Sequence, residues 1–115
     1  MRPDRLYLAD IVEAGTAIGH FLSGTPAYAE FVANDLVRSA VLYKLVIIGE
    51  AASKITPDFK AKYPEIPWRD IVGFRNYSIH AYFSVDWTVV WGAAKEETPE
   101  LVVNIERILK SEFPS

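Results

Sequence analysis

Apolar residues recur along this chain at helical spacing almost from end to end. Leu8, Ile11, Val12, Gly15, Ile18, Gly19 and Leu22 follow the i, i+3, i+4, i+7 rule, which predicts an amphipathic helix ending at Gly24. Thr25-Pro26 then reads as a cap followed by a first-turn proline, the start of a short helical turn. A long helix is expected from a cap at Asn34 or Asp35 to about Ile55. It is apolar on two faces. Leu36, Ala40, Tyr43, Ile47 and Ala51 form one stripe, and Val37, Val41, Leu45, Ile48 and Ala52 form another. A helix with two apolar faces is buried on two sides, and in a small bundle one of them is open to a second subunit.

The punctuation continues in the same style. Thr56-Pro57 predicts another capped start, for a short helix that Pro64 closes. Pro67 opens a helix expected from Trp68 to about Tyr82, with a turn over Phe83 to Val85. Asp86 caps the next helix, and Thr98-Pro99 predicts the start of a last one to about Glu112. Sustained strand alternation, repeats, low-complexity tracts and linkers are missing from the sequence. The expected fold is all-α, an up-and-down bundle of four main helices with short connecting helices, forming a single domain over residues 1–115.

Composition narrows the setting. Half of the 115 residues are hydrophobic, more apolar surface than a small monomer readily hides, so self-association as a homodimer is expected. With no cysteine there is no disulfide, no thiolate metal site and no Cys nucleophile. No apolar run approaches a membrane span, and "MRPDRLYLAD" is charged where a signal peptide would be apolar. A soluble cytoplasmic protein is the expectation. The net charge of −3 is unevenly spread. Seven basic and four acidic residues fall between Arg38 and Arg75, a local +3 against −6 for the rest of the chain. Such a window is either an ordinary solvated mixture or a local positive face able to meet phosphate.

The candidate chemistry gathers in "GFRNYSIHAYFSVDW", Gly73 to Trp87. Of the two histidines, His20 ends the first helix and reads as a helix-dipole or packing residue. His80 follows Arg75 by five residues and Asn76 by four. On a regular helix Asn76 and His80 share a face, whereas Arg75 lies about 140° round and must reach across. A guanidinium to clamp phosphate oxygens, an imidazole to move a proton and an amide to orient either would suit phosphate chemistry. The plainer account is a capped helix end, with Arg75 paired to Asp70 or Asp86. No ligand cluster at metal spacing is present in the sequence, so neither a metal nor a cofactor is expected. The glycine of "IIGEAA" lies inside a helix, where it reads as a close-packing position.

Three blocks then carry a resemblance. "RLYLADIVEAGTAI", "AVLYKLVIIGEAASKI" and "IPWRDIVGFRNYSIHAYFSVD" stand in this order, the second with Ile-Gly-Glu-Ala at Ile48 to Ala51. The third has Ile-Pro-Trp, Gly-x-Arg-Asn and His-x-Tyr-Phe-x-Val-Asp, with Arg75, Asn76, His80 and Tyr82 in place. The chain thus resembles the HepT-like family of HEPN-domain proteins, the toxin halves of HEPN–MNT toxin–antitoxin pairs. It departs at Phe74, Ala81 and Thr98, where the family has methionine, glycine and leucine.

The resemblance implies a HEPN-type bundle and a metal-independent endoribonuclease toxin. Arg75, Asn76 and His80 would be catalytic, at a groove between two subunits, and Glu50 would support Arg75 by a salt bridge or stand as an exposed helix residue. RNA would be the substrate and an MNT-type nucleotidyltransferase the antitoxin. Tyr82 would be the residue to which that partner attaches AMP, or else a packing aromatic. The alternative from another class is a non-catalytic subunit that binds a nucleotide or holds the nucleotidyltransferase. A purely structural helical dimer is a third. Catalysis requires the His80 imidazole; a binding role would survive His80→Gln.

Overall fold

The computed structural model describes residues 2–77 and 84–114. The sequence order of helices becomes α1 (Asp4–Leu22), α2 (Tyr28–Ala33), α3 (Asp35–Lys54), α4 (Pro57–Lys62), α5 (Trp68–Val72), a 3₁₀ turn (Gly73–Asn76), α6 (Trp87–Gly92), a π-helical turn (Ala93–Glu97) and α7 (Thr98–Glu112). The structure is all-α, a bundle in which α1, α3 and the α6–α7 run are the long members and the α5–3₁₀ unit packs on α3. One connected core is built from the predicted stripes. Leu8, Ile11 and Ile18 of α1 meet Val41, Leu45 and Ile48 of α3 and Ile105 of α7, all essentially inaccessible to solvent. Burying each such side chain is worth about 1.5–3 kcal/mol. Phe31 of α2 fills the end of the core, 5.1 Å from the Trp91 ring and 6.2 Å from that of Trp87.

Three of the predicted caps form. The Asn34 side chain accepts from the Val37 amide at 3.1 Å and starts α3. Thr56 Oγ1 accepts from Phe59 N at 3.4 Å, with Pro57 at the first helical position. Asp86 accepts from Thr88 N at 3.0 Å, and the Thr88 hydroxyl and amide together hold the Asp86 carboxyl below its usual range.

Two caps of the same spelling do not form. Thr25 is buried and turns back, its amide bonding Leu22 O at 3.0 Å, so it closes α1; α2 begins only at Tyr28, with Ala27 before it. Thr98 is also buried and has helical angles, φ −65° and ψ −44°. The chain therefore runs from α6 into α7 without a break. Pro99 has no amide to give the ladder, and the π-turn accommodates it. Thr98 sends both its amide and its hydroxyl to Ala93 O, the hydroxyl at 2.7 Å. A capping threonine needs an extended backbone and a free hydroxyl, and here burial removes both.

The helix expected from Trp68 to Tyr82 is also shorter. Its α-helical part stops at Val72, the Gly73–Asn76 stretch tightens to 3₁₀, and Tyr77 has left the helical region at ψ 45°. No helix among the described residues is long and apolar enough to cross a membrane.

Candidate active site

The 3₁₀ turn is held from both sides. Upstream, Ile66 is buried, and the Trp68 indole donates to Tyr63 O at 3.0 Å, which fixes the entry to α5. Within the turn, Phe74 is buried and stacks on Tyr77, with ring centroids 5.9 Å apart. Burial, followed by the charges of Glu97 and Asp86, pushes the Tyr77 phenol up from its ordinary value. Beneath the turn lies Gly49 of α3. A Cβ built on Gly49 would fall inside van der Waals distance of the Arg75 amide nitrogen and 3.0 Å from Arg75 Cα. The close-packing role expected of this glycine is therefore specific: it lets the backbone of Arg75 rest directly on α3.

With its backbone seated there, the Arg75 side chain is directed outward and is exposed, as is Asn76. Among the described residues Arg75 forms no ion pair. The pairing with Asp70 or Asp86 that a capped helix end would need is not made. Of the two readings of Glu50, a salt bridge to Arg75 or an exposed helix residue, the structure has the second. That carboxylate lies about 100° round α3 from Gly49 and lines a shallow, mainly apolar groove with Tyr7, Tyr43, Ile47 and Lys54. The groove belongs to the first stripe of α3, which is open at Leu36 and Tyr43 and covered at Ala51. Leu36 is 80% exposed and Tyr43 58%, while the second stripe forms the core.

Behind the turn, Glu65, Glu97 and Glu100 rim a separate hollow floored by Ile66, Phe74 and Leu101. Among the described residues no three His, Cys, Asp or Glu side chains gather where they could hold a metal ion. His20 is exposed in the last turn of α1, remote in the chain from this turn.

The chain matches the family model described as Ribonuclease HepT-like over residues 11–108. It belongs to the HepT-like ribonuclease family. Among its relatives, Putative RNase MJ1380 of Methanocaldococcus jannaschii is 38% identical over 91% of this chain and 95% of its own length. Putative RNase MJ1216 of the same organism is 40% identical over 95% and 89%. Probable ribonuclease HepT of Thermococcus cleftensis is 40% identical over 95% and 98%. No solved structure matches the chain significantly.

In this HepT-like chain the structure places Arg75 and Asn76 side by side on an exposed turn, and sets Glu50 apart in the groove. His80 and Tyr82, and with them Ala81, lie outside the described residues. Sequence reasoning missed Lys60. It lies on α4, half-buried, and the Arg75 charge acts on it. Nothing in its local sequence announces this.

Proposed function

We propose that this chain is a metal-independent endoribonuclease that acts as a homodimer and is the toxin of a toxin–antitoxin pair. The observation that carries the reading is Arg75. It is an exposed guanidinium on a backbone fixed against Gly49, with no carboxylate paired to it among the described residues, in a chain of a ribonuclease family. A cation kept unneutralised at a rigid position is suited to the charge that develops on phosphorane oxygens. The 2′-hydroxyl of RNA attacks the adjacent phosphorus and the 5′-oxygen leaves. His80 moves the proton, and Asn76 orients His80 or the phosphate.

One chain offers a single histidine in this region, and the reaction uses both a base and an acid. Two chains related by a two-fold axis supply two. The exposed Leu36 and Tyr43 of α3 leave apolar surface for a second subunit and support such a dimer. Tyr82 is the site for AMP attachment by a nucleotidyltransferase antitoxin. Each AMP adds a phosphodiester charge and bulk where an RNA phosphate must enter.

The test is cleavage of single-stranded RNA in EDTA. The expected products carry a 2′,3′-cyclic phosphate and a 5′-hydroxyl. Arg75→Ala and His80→Ala should each lower the rate on the order of 10²- to 10⁴-fold without unfolding the protein. Activity that is abolished by chelator and restored by Mg²⁺ overturns the mechanism. Tyr82→Phe should cleave RNA but resist silencing by the partner; a Tyr82→Phe protein that still gains AMP removes Tyr82 from the account.

A further inference from the structure

The stretch from Arg75 to Trp87 is seated on α3 at both of its ends. At the first end the backbone of Arg75 rests on Gly49. At the second, the Trp87 ring lies under the guanidinium of Arg38, whose Cζ is 4.8 Å from the ring centroid. Gly49 follows Arg38 by eleven residues. At about 100° and 1.5 Å per residue, that is three turns, about 20° out of register and about 16 Å along the axis. The two seats therefore lie on one face of one helix.

The second seat is itself held in place. Arg38 Nη1 donates to Val32 O at 2.8 Å and Nη2 donates to Asp35 Oδ1 at 3.0 Å. The end of α2 and the first turn of α3 thus fix the guanidinium plane. The Arg38 side chain is only 21% exposed, so the cation that meets Trp87 is partly withdrawn from water, where a cation–π contact is strongest. Phe31 meets the same ring nearly edge-on, at 6.2 Å. The Asp86 cap alone suffices to start α6. The Arg38 contact adds something a cap does not, a fixed place against α3 for the residue that opens the helix.

The chain between the seats is longer than the gap. Trp87 follows Arg75 by twelve residues. Such a length can reach about 40 Å when extended, against about 16 Å between the seats. Slack of that size leaves the course of a chain undefined unless both ends are held. His80 stands five residues from Arg75 and seven from Trp87.

We propose that Arg38 is a positioning residue: by fixing Trp87 on the Gly49 face of α3, it sets where His80 stands relative to Arg75. This rests on the ribonuclease reading for what His80 does. Arg38 acts through Trp87 and touches no substrate.

The experiment uses the full-length protein and Arg38→Met, which keeps a long apolar stem and removes the guanidinium. One readout is kcat and KM on single-stranded RNA, per folded molecule. Arg38→Met should lower kcat about 10- to 10²-fold with KM within about twofold of wild type, the mark of misplaced reacting groups rather than lost affinity. Trp87→Leu should match it, while Trp87→Phe keeps a ring beneath the guanidinium and should retain most of kcat. The other readout is the imidazole NMR spectrum. The chain has two histidines and gives two Cε1–H signals, of which His80→Gln removes one and so assigns both. Arg38→Met should shift the His80 signal and leave that of His20, exposed on α1, in place. An Arg38 that serves stability alone would lower the urea midpoint while kcat per folded molecule and the His80 signal keep their wild-type values, and that result overturns the proposal. If the wild-type protein cuts no RNA, the ribonuclease reading falls by itself, and an unshifted His80 signal in Arg38→Met is what then removes the positioning role.

Discussion

Gly15 and Gly49 face the same packing problem and answer it with different neighbours. A Cβ on Gly15 of α1 would collide with Val102 Cγ2 and come within 3.2 Å of Thr98 Cγ2, both side-chain methyls of α7. A Cβ on Gly49 of α3 would collide with the backbone of Arg75. A side-chain methyl can move by a change of rotamer or a small shift of one helix. A backbone amide moves only with its whole turn. The α1–α7 contact therefore serves packing, and the α3–Arg75 contact fixes the group proposed to act on RNA. The two are sharply different in what a single added methyl should do.

The largest effect is expected at Gly49. Gly49→Ala must lift the 3₁₀ turn off α3, and a displacement of the order of 1 Å at a catalytic group costs about 10²-fold in rate. Its stability should change much less, because overpacking of about 1–3 kcal/mol is partly offset by the roughly 1 kcal/mol gain in helix propensity of alanine over glycine. RNA cleavage rates beside a urea denaturation curve check both parts. Gly15→Ala should carry a similar net stability cost and spare the rate. It should lower stability by up to about 2 kcal/mol, read from the urea midpoint, while activity per folded molecule stays near wild type. Equal losses of activity in the two variants would erase the distinction between the two regions.

Thr98→Val sharpens the packing side. It keeps the shape and one methyl that faces Gly15, but removes the hydroxyl that donates to Ala93 O. The carbonyl retains the Thr98 amide, so the loss should be about 1 kcal/mol, with activity unaltered.

The smallest effect concerns the tether between α4 and the end of α7. The Lys62 ammonium first, and then the Tyr63 hydroxyl, hold the Glu112 carboxyl below its usual range. A depressed carboxyl contributes stability that is present above its unfolded value and is lost as pH falls through its folded value. The tether should therefore loosen only in acid, below the usual carboxylate range. Amide exchange in the last turn of α7 should quicken there in the wild type, and already at neutral pH in Glu112→Gln.

The same contrast explains what the sequence reveals. Asn34, Thr56 and Asp86 are legible as caps because each acts on an amide two or three residues away. Thr25 and Thr98 carry the same Thr-Pro spelling but are buried, and their hydrogen bonds point backwards along the chain. Local pattern cannot report burial by a distant helix. The inner stripe of α3 is legible from periodicity, as is the outer one that solvent meets at Leu36 and Tyr43. At the site, the block around Arg75 and Asn76 stands out by composition. Its support does not, since Gly49 lies 26 residues upstream of Arg75 and approaches it only through tertiary packing. Glu50 follows Gly49 in sequence, which leaves it either paired with Arg75 or exposed on its helix. One step along a helix is about 100° of rotation, enough to put it in the groove.

The central claim is that Gly49 and Arg75 form a single device, a glycine that seats the backbone from which a free guanidinium acts. A double-mutant cycle on RNA cleavage tests it most directly, with rates for wild type, Gly49→Ala, Arg75→Ala and the double variant. If Gly49 acts through Arg75, Gly49→Ala is severe in the wild-type background and nearly silent once Arg75 is alanine. If Gly49→Ala costs the same factor in both backgrounds, the two residues act independently and the claim is wrong.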